Sequence, residues 1–310
     1  MRYPLAPEFA KLAILASLPL TRPALKIAQA MPTPRCRPLP GQRVTRHDLT
    51  GHEGGSFRTW LIEPEDACEP LPCIIYFHGG GFMMPIQPYM FGLARRWAAE
   101  LGCKALVVQY RLAPFHPFPT AAEDAHASFR WLIEHADELG IDAGRIAVAG
   151  DSAGGNLAIA TCLMARDRGG TLPCFQLLLY PTTDRRLETE SCRAFQDTPV
   201  WSTPLSKIMW EHYLGTSDEA TIQSMEGLAY ASPLEAASLE GLPDAYVEVC
   251  EFDCLRDEGL AYAETLERTG AQVEVHQIDG APHGADLAGP SGPIMREVAK
   301  WRLDALARAL

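Results

Sequence analysis

The chain has 310 residues, enough to bury a large core without disulfide or metal staples. Hydrophobic residues make up 47% and charged residues 21%, a globular balance that excludes intrinsic disorder, collagen and coiled coil. With 27 basic and 39 acidic side chains the formal charge is −12, which repels a phosphate backbone, and without a local basic patch nucleic acid is excluded as a partner.

The first apolar stretch, Leu12 to Leu20, is too short to span a bilayer and gives way to Arg22 and Pro23, so stable membrane insertion is not expected. Ala28-Gln29-Ala30 imitates a signal cleavage site, but Lys11 interrupts the apolar region and Arg22 and Lys26 separate it from the cut. The 9 cysteines show neither paired CxxC spacing nor a dense disulfide framework, and fit a reducing cytoplasm. No metal or cofactor site is expected.

Further along, short apolar runs predict strands at Cys73–Phe77, Ala105–Gln109, Ile146–Ala149, Leu177–Leu179, Ala245–Val249 and Val273–Val275. Between most of them lie stretches with helical spacing, at Phe91–Leu101, Ala121–Leu139, Ala153–Arg166 and Glu258–Thr269. This alternation predicts an α/β fold with a mostly parallel sheet covered on both faces. Two segments break the rhythm, residues 1–50 and residues 184–230, and read as a helical cap over a catalytic domain formed by 51–183 and 231–310.

The sharpest chemical signal is Gly150-Asp151-Ser152-Ala153-Gly154-Gly155, placed after one predicted strand and opening a predicted helix. A nucleophile elbow requires that context, because only small residues fit around a serine on so tight a strand-to-helix turn. The competing reading is a small-residue helix start packed on the sheet, or an anion-binding turn. The second signal is His78-Gly79-Gly80-Gly81-Phe82, directly after another strand. Glycines let backbone N–H groups approach a developing oxyanion, so Gly79 and Gly80 are the expected donors, with the N–H of Ala153 as the third.

A serine needs a base, and the base an orienting carboxylate. Among the 9 histidines, His283 is best placed, in a loop after the last predicted strand and before the C-terminal helix. His78, at a strand end, more plausibly holds its own loop, His276 continues the last predicted strand as a half-buried surface residue, and His126, His135 and His212 sit in helical stretches where solvation or core packing is the default. Asp253 falls at the carboxyl edge of the sheet and is the expected orienter. Asp257 and Glu258, in the first turn of the next helix, read as complements to its dipole. The order Ser152, Asp253, His283 is that of α/β hydrolases.

At these residues the chain resembles the hormone-sensitive-lipase-like esterases of the α/β-hydrolase superfamily. The landmarks are HGGGF, Tyr110-Arg111-Leu112-Ala113-Pro114, GDSAGGN, Ser232-Pro233-Leu234 and the stretch from Asp253 to Gly259, in that order. The resemblance implies an eight-stranded hydrolase core with a helical cap, and carboxylesterase activity on short- or medium-chain acyl esters without a cofactor. Three positions depart from the pattern. Phe115 stands where glutamate is usual, Cys254 where proline is common, and Ala285 where an aromatic is common, the last raising the expectation of a wider pocket beside the base.

The expected protein is a serine carboxylesterase acting on a small-molecule ester, as a monomer or homodimer. Phe82, Met83, Met84, Trp201, Trp210 and Tyr213 are candidates for the pocket or cap, with core packing the competing role of each. An amidase, peptidase or acyltransferase on the same triad, or a non-catalytic receptor on the same fold, are the alternatives.

Overall fold

The computed structural model describes residues 3–14, 19–67 and 70–310. Eight strands form one sheet: β1 (Gln42–Thr50), β2 (Ser56–Pro64), β3 (Leu71–Phe77), β4 (Lys104–Gln109), β5 (Ile141–Asp151), β6 (Phe175–Leu179), β7 (Ala245–Phe252) and β8 (Val273–Pro282), in the order β1-β2-β4-β3-β5-β6-β7-β8. From β4 onward all neighbours are parallel, while β2 runs antiparallel to both β1 and β4. The helices in chain order are α1 (Arg22–Ala30), α2 (Pro88–Leu101), α3 (Thr120–Glu134), α4 (Ala136–Leu139), α5 (Ala153–Asp167), α6 (Glu190–Ala194), α7 (Thr203–Leu214), α8 (Glu219–Gln223), α9 (Leu228–Ala231), α10 (Arg256–Glu267) and α11 (Pro293–Ala309).

Strand alternation divides the interior into two layers. Cys73, Ile75 and Phe77 of β3, with Ile146 and Val148 of β5, face one layer, which α3, α5 and α10 cover. Ile74, Tyr76, Ala147 and Ala149 face the other, which α2 and α11 cover. Central strands buried on both faces explain why β3 to β7 were legible as apolar runs. The first two strands were not. In β1 only Val44 and Leu49 are apolar, and Arg43, Arg46 and Asp48 give the sheet edge charges that discourage pairing with another chain.

Residues 42–50, grouped with the cap in the sequence, therefore belong to the sheet. The 3₁₀ turn Pro7–Ile14 packs at β8 and α11, since the Ala6 N–H donates to Gly280 O and the Glu8 carboxylate accepts the Ile294 and Met295 N–H groups at the start of α11. Residues 15–18, part of the apolar stretch noted above, lie outside the described residues. Residues 184–230 hold α6, α7, α8 and the start of α9. Among the described residues no helix is long and apolar enough to cross a membrane.

Candidate active site

Ser152 occupies the single-residue turn between β5 and α5, with φ 54° and ψ −119°, a conformation that a residue bearing a Cβ adopts only when its surroundings hold it there. The flanking glycines are a packing necessity. A Cβ on Gly150 would lie 2.2 Å from the Gly154 carbonyl, and one on Gly154 would lie 2.0 Å from the Phe77 carbonyl oxygen. The sharp turn lifts the serine hydroxyl above the carboxyl edge of the sheet, where the loops after β7 and β8 arrive.

Those loops bring Asp253 and His283 to the serine. The Ser152 hydroxyl lies 2.9 Å from His283 Nε2, and His283 Nδ1 lies 2.6 Å from Asp253 Oδ2. Asp253 is fully buried, and its Oδ1 accepts the Leu255 N–H at 2.9 Å. A carboxylate at Nδ1 keeps the proton there and leaves Nε2 as an acceptor for the serine proton. Asp257 points elsewhere, accepting the Ser191 N–H at 2.7 Å. Glu258 is entirely buried and accepts the Thr183 N–H at 2.7 Å, so it anchors the entrance of the 184–230 insertion rather than complementing a helix dipole. Burial pushes its carboxyl well above the usual range.

His78 has no part in this arrangement. It is fully buried, stacks on Tyr110 with centroids 4.4 Å apart, and donates from Nδ1 to Gly79 O at 2.8 Å. Burial pulls it down to about 4, which keeps the ring neutral.

The expected oxyanion donors require a correction. The Gly79 N–H is already committed, donating to Asp151 Oδ1 at 2.8 Å, where the Tyr76 hydroxyl also donates at 2.5 Å. Gly80 and Gly81 line the cavity beside Ser152, and their N–H groups donate to no other described residue. Ala153, the first residue of α5, has an N–H without an intrahelical acceptor. Gly81, the third glycine of HGGG, was not among the expected donors, yet its N–H is free among the described residues and it lines the cavity.

The cavity above Ser152 and His283 has a volume of about 340 Å³, at the lower end of the roughly 300–1,000 Å³ of small-molecule sites. Its walls are mostly apolar, with Leu20, Met84, Pro85, Met90, Val200, Trp201, Leu205 and Leu287, and with Gln87, Tyr89, Asp151 and Tyr180 as polar members. Of the six candidate pocket residues, Met84 and Trp201 line it. Phe82, Met83, Trp210 and Tyr213 do not: Phe82 stacks face to face on Tyr213 at 3.7 Å, and all four are buried where α7 packs on the glycine loop. Their apolar surface serves core packing.

Nor does Ala285 widen the pocket, because it is fully buried and absent from the cavity wall. Two rings lie beside His283 instead, Tyr180 at 5.1 Å and Trp201 at 6.1 Å from the imidazole. Cys254 meets the 184–230 segment through its carbonyl, which accepts the Ser191 hydroxyl at 2.8 Å. Phe115 is exposed.

The buried carboxyl of Asp151, next to Ser152, is pushed up to about 6, chiefly by burial and also by Asp286, against the lowering effect of its Tyr76 and Gly79 bonds.

The family model for the alpha/beta hydrolase fold matches residues 74–287. The chain belongs to that family, in its hormone-sensitive-lipase-like branch. Esterase LipI of Mycobacterium tuberculosis is 41% identical over 258 residues, covering 81% of this chain and 79% of the relative. Among solved structures, a bacterial heroin esterase superposes with a TM-score of 0.88 at 35% identity, covering 99% of this chain and 98% of its own. A thermostable esterase from Pseudomonas putida gives a TM-score of 0.84 at 33% identity, with coverage of 99% and 98%. In this chain the 184–230 segment stands between β6 and β7, and so leaves from the same carboxyl edge of the sheet as the elbow.

Proposed function

We propose that the protein is a serine carboxylesterase that hydrolyses short- to medium-chain acyl esters. The observation that carries this is the continuous chain from the Ser152 hydroxyl through His283 to Asp253, at 2.9 and 2.6 Å, opening on an apolar cavity. The esterase names of the similar proteins support it. The Ser152 hydroxyl attacks the ester carbonyl while His283 Nε2 takes its proton, forming a tetrahedral intermediate. The N–H groups of Gly80, Gly81 and Ala153 stabilise the oxyanion. Collapse of the intermediate breaks the ester bond, and His283 protonates the departing alcohol. Water, deprotonated by the same nitrogen, then hydrolyses the acyl-enzyme and restores Ser152.

Residues 184–230, with the segment around Leu20, act as the cap that bounds the acyl pocket. Each methylene accommodated contributes at most about 0.8 kcal/mol before the chain outgrows the cavity. The 8 described cysteines, all unpaired, support a reducing cytoplasm as the place of work.

The test is a series of p-nitrophenyl esters from acetate to palmitate, run beside the matching anilides and a peptide. The expected result is kcat/KM that peaks at short or medium chains, with anilide and peptide turnover lower by orders of magnitude. Rates still rising at palmitate would make it a lipase, and faster anilide cleavage would make it an amidase.

A further inference from the structure

The base is touched by a residue outside the triad, and that residue is tied to a buried charge cluster with no role in the chemistry described so far. Tyr180 follows β6 directly, beside the nucleophile, where the Ser152 N–H donates to Leu179 O at 2.8 Å. Its own backbone has φ 37°, a left-handed conformation that costs a side-chain-bearing residue on the order of 1 kcal/mol and persists only where neighbours enforce it. The Tyr180 ring is buried, forms part of the cavity wall and meets the His283 imidazole at 5.1 Å with planes 72° apart.

The Tyr180 hydroxyl donates to Asp286 Oδ2 at 2.6 Å. Asp286 lies three residues beyond His283, in the turn Ala285–Ala288 that closes the base loop. Arg302 of α11 holds Asp286 in a two-pronged contact, Nη1 to Oδ1 at 2.8 Å and Nη2 to Oδ2 at 2.9 Å. From its other side Arg302 Nε donates to Glu248 Oε2 on β7 at 2.9 Å, and the Tyr246 hydroxyl donates to the same oxygen at 2.9 Å.

A buried arginine with two carboxylates is a poor device for stability, since apolar residues of similar volume do as well or better. It is a good device for geometry, because a planar guanidinium with paired N–H groups fixes its partners in orientation. The Asp286 end of the cluster reaches the base loop directly and the imidazole through the Tyr180 hydroxyl and ring, while the Glu248 end anchors it to β7.

We propose that Tyr180 is a positioning residue for His283, its ring locked against the imidazole by the hydroxyl bond to Asp286 and, through Asp286, by Arg302. Hydrogen bonds at both ring nitrogens fix where the imidazole is tethered, and the ring contact limits its tilt between Asp253 and Ser152. The proposal rests on the esterase reading above, since it assigns the same base.

The test compares Tyr180→Phe, Asp286→Asn and the double variant in the full-length protein. Tyr180→Phe keeps the ring and removes only the donor, while Asp286 keeps Arg302, so the protein folds with a melting temperature within a few degrees of wild type. The expected result with p-nitrophenyl acetate is a kcat lower by on the order of tenfold with KM within about twofold, as misplacement of a reacting group costs rate and not binding. Labelling of Ser152 by a fluorophosphonate should slow by the same factor. The double variant should be no slower than the slower single one, because both changes break one link.

A Tyr180→Phe enzyme with wild-type kcat and labelling rate would overturn the proposal, as would a change in KM alone, which a mere cavity wall would give. Losses that multiply in the double variant would also overturn it. If Asp286→Asn does not fold, Tyr180→Phe decides alone. Failure of the esterase reading looks different: Ser152→Ala would then retain turnover, whereas a wild-type enzyme labelled at Ser152 beside an unaffected Tyr180→Phe sinks only the positioning role.

Discussion

Asp151 stands immediately before Ser152 and is 2% exposed, so its charge is held against desolvation. Its carboxyl is carried from 3.8 to about 6, which at about 1.36 kcal/mol per tenfold change in the proton equilibrium corresponds to about 3 kcal/mol. The sign follows from linkage. Because the folded carboxyl binds its proton more tightly than the unfolded one, its favourable contribution is full below 3.8 and is lost as pH rises through about 6. Asp151→Asn removes the charge while its amide oxygen can still accept from the Tyr76 hydroxyl and the Gly79 N–H, the two donors now on Oδ1. Unfolding of wild type and variant in urea, followed at pH 4, 5, 6, 7 and 8, isolates the effect, because titrating groups not coupled to Asp151 cancel in the difference, leaving Asp151 and its neighbours Asp286 and His283. The variant should match wild type near pH 4 and exceed it by up to about 3 kcal/mol at pH 8. A variant less stable than wild type at pH 8, or a difference that does not change with pH, would refute the assignment of a strained buried charge.

Ser152→Ala should abolish ester turnover, with a loss on the order of 10⁶ in kcat and a nearly unchanged melting curve, read by p-nitrophenyl acetate hydrolysis and circular dichroism. Asp253→Asn should lose about 10⁴ in kcat by favouring the wrong imidazole tautomer, while Asp257→Asn, whose side chain holds Ser191, should stay within tenfold. The reverse order would move the acid to Asp257. Gly154→Ala places a Cβ 2.0 Å from the Phe77 carbonyl and should cost about 1–3 kcal/mol or more in a melting experiment, together with loss of activity. A fully active, equally stable Gly154→Ala enzyme would show that the elbow tolerates what its packing forbids.

What the amino-acid sequence determined alone is the chemistry that local geometry enforces. The elbow at Ser152 is legible because strand, turn and helix are contiguous, and the glycines around it are there for clashes within a few residues and with the neighbouring strand. His283 and Asp253 are legible because both follow strands at the carboxyl edge of a parallel sheet, where open α/β folds gather their reactive groups. The buried central strands were legible for the same kind of reason, as apolar runs need no knowledge of their partners.

Only the tertiary structure decided the features whose partners lie far away in the chain. The Gly79 amide is lost to the oxyanion through Asp151, 72 residues on, and Tyr180 is tied to Asp286 at a separation of 106. Strand β1 is visible only through its pairing with β2, since an edge strand with one solvated face carries charges in place of an apolar run. Phe82, Met83, Trp210 and Tyr213 carry the composition of a pocket and became core, because an aromatic side chain buries equally well against a substrate or against another ring. Which surface it meets is set by how α7 docks on the glycine loop, and that docking is a property of the folded chain.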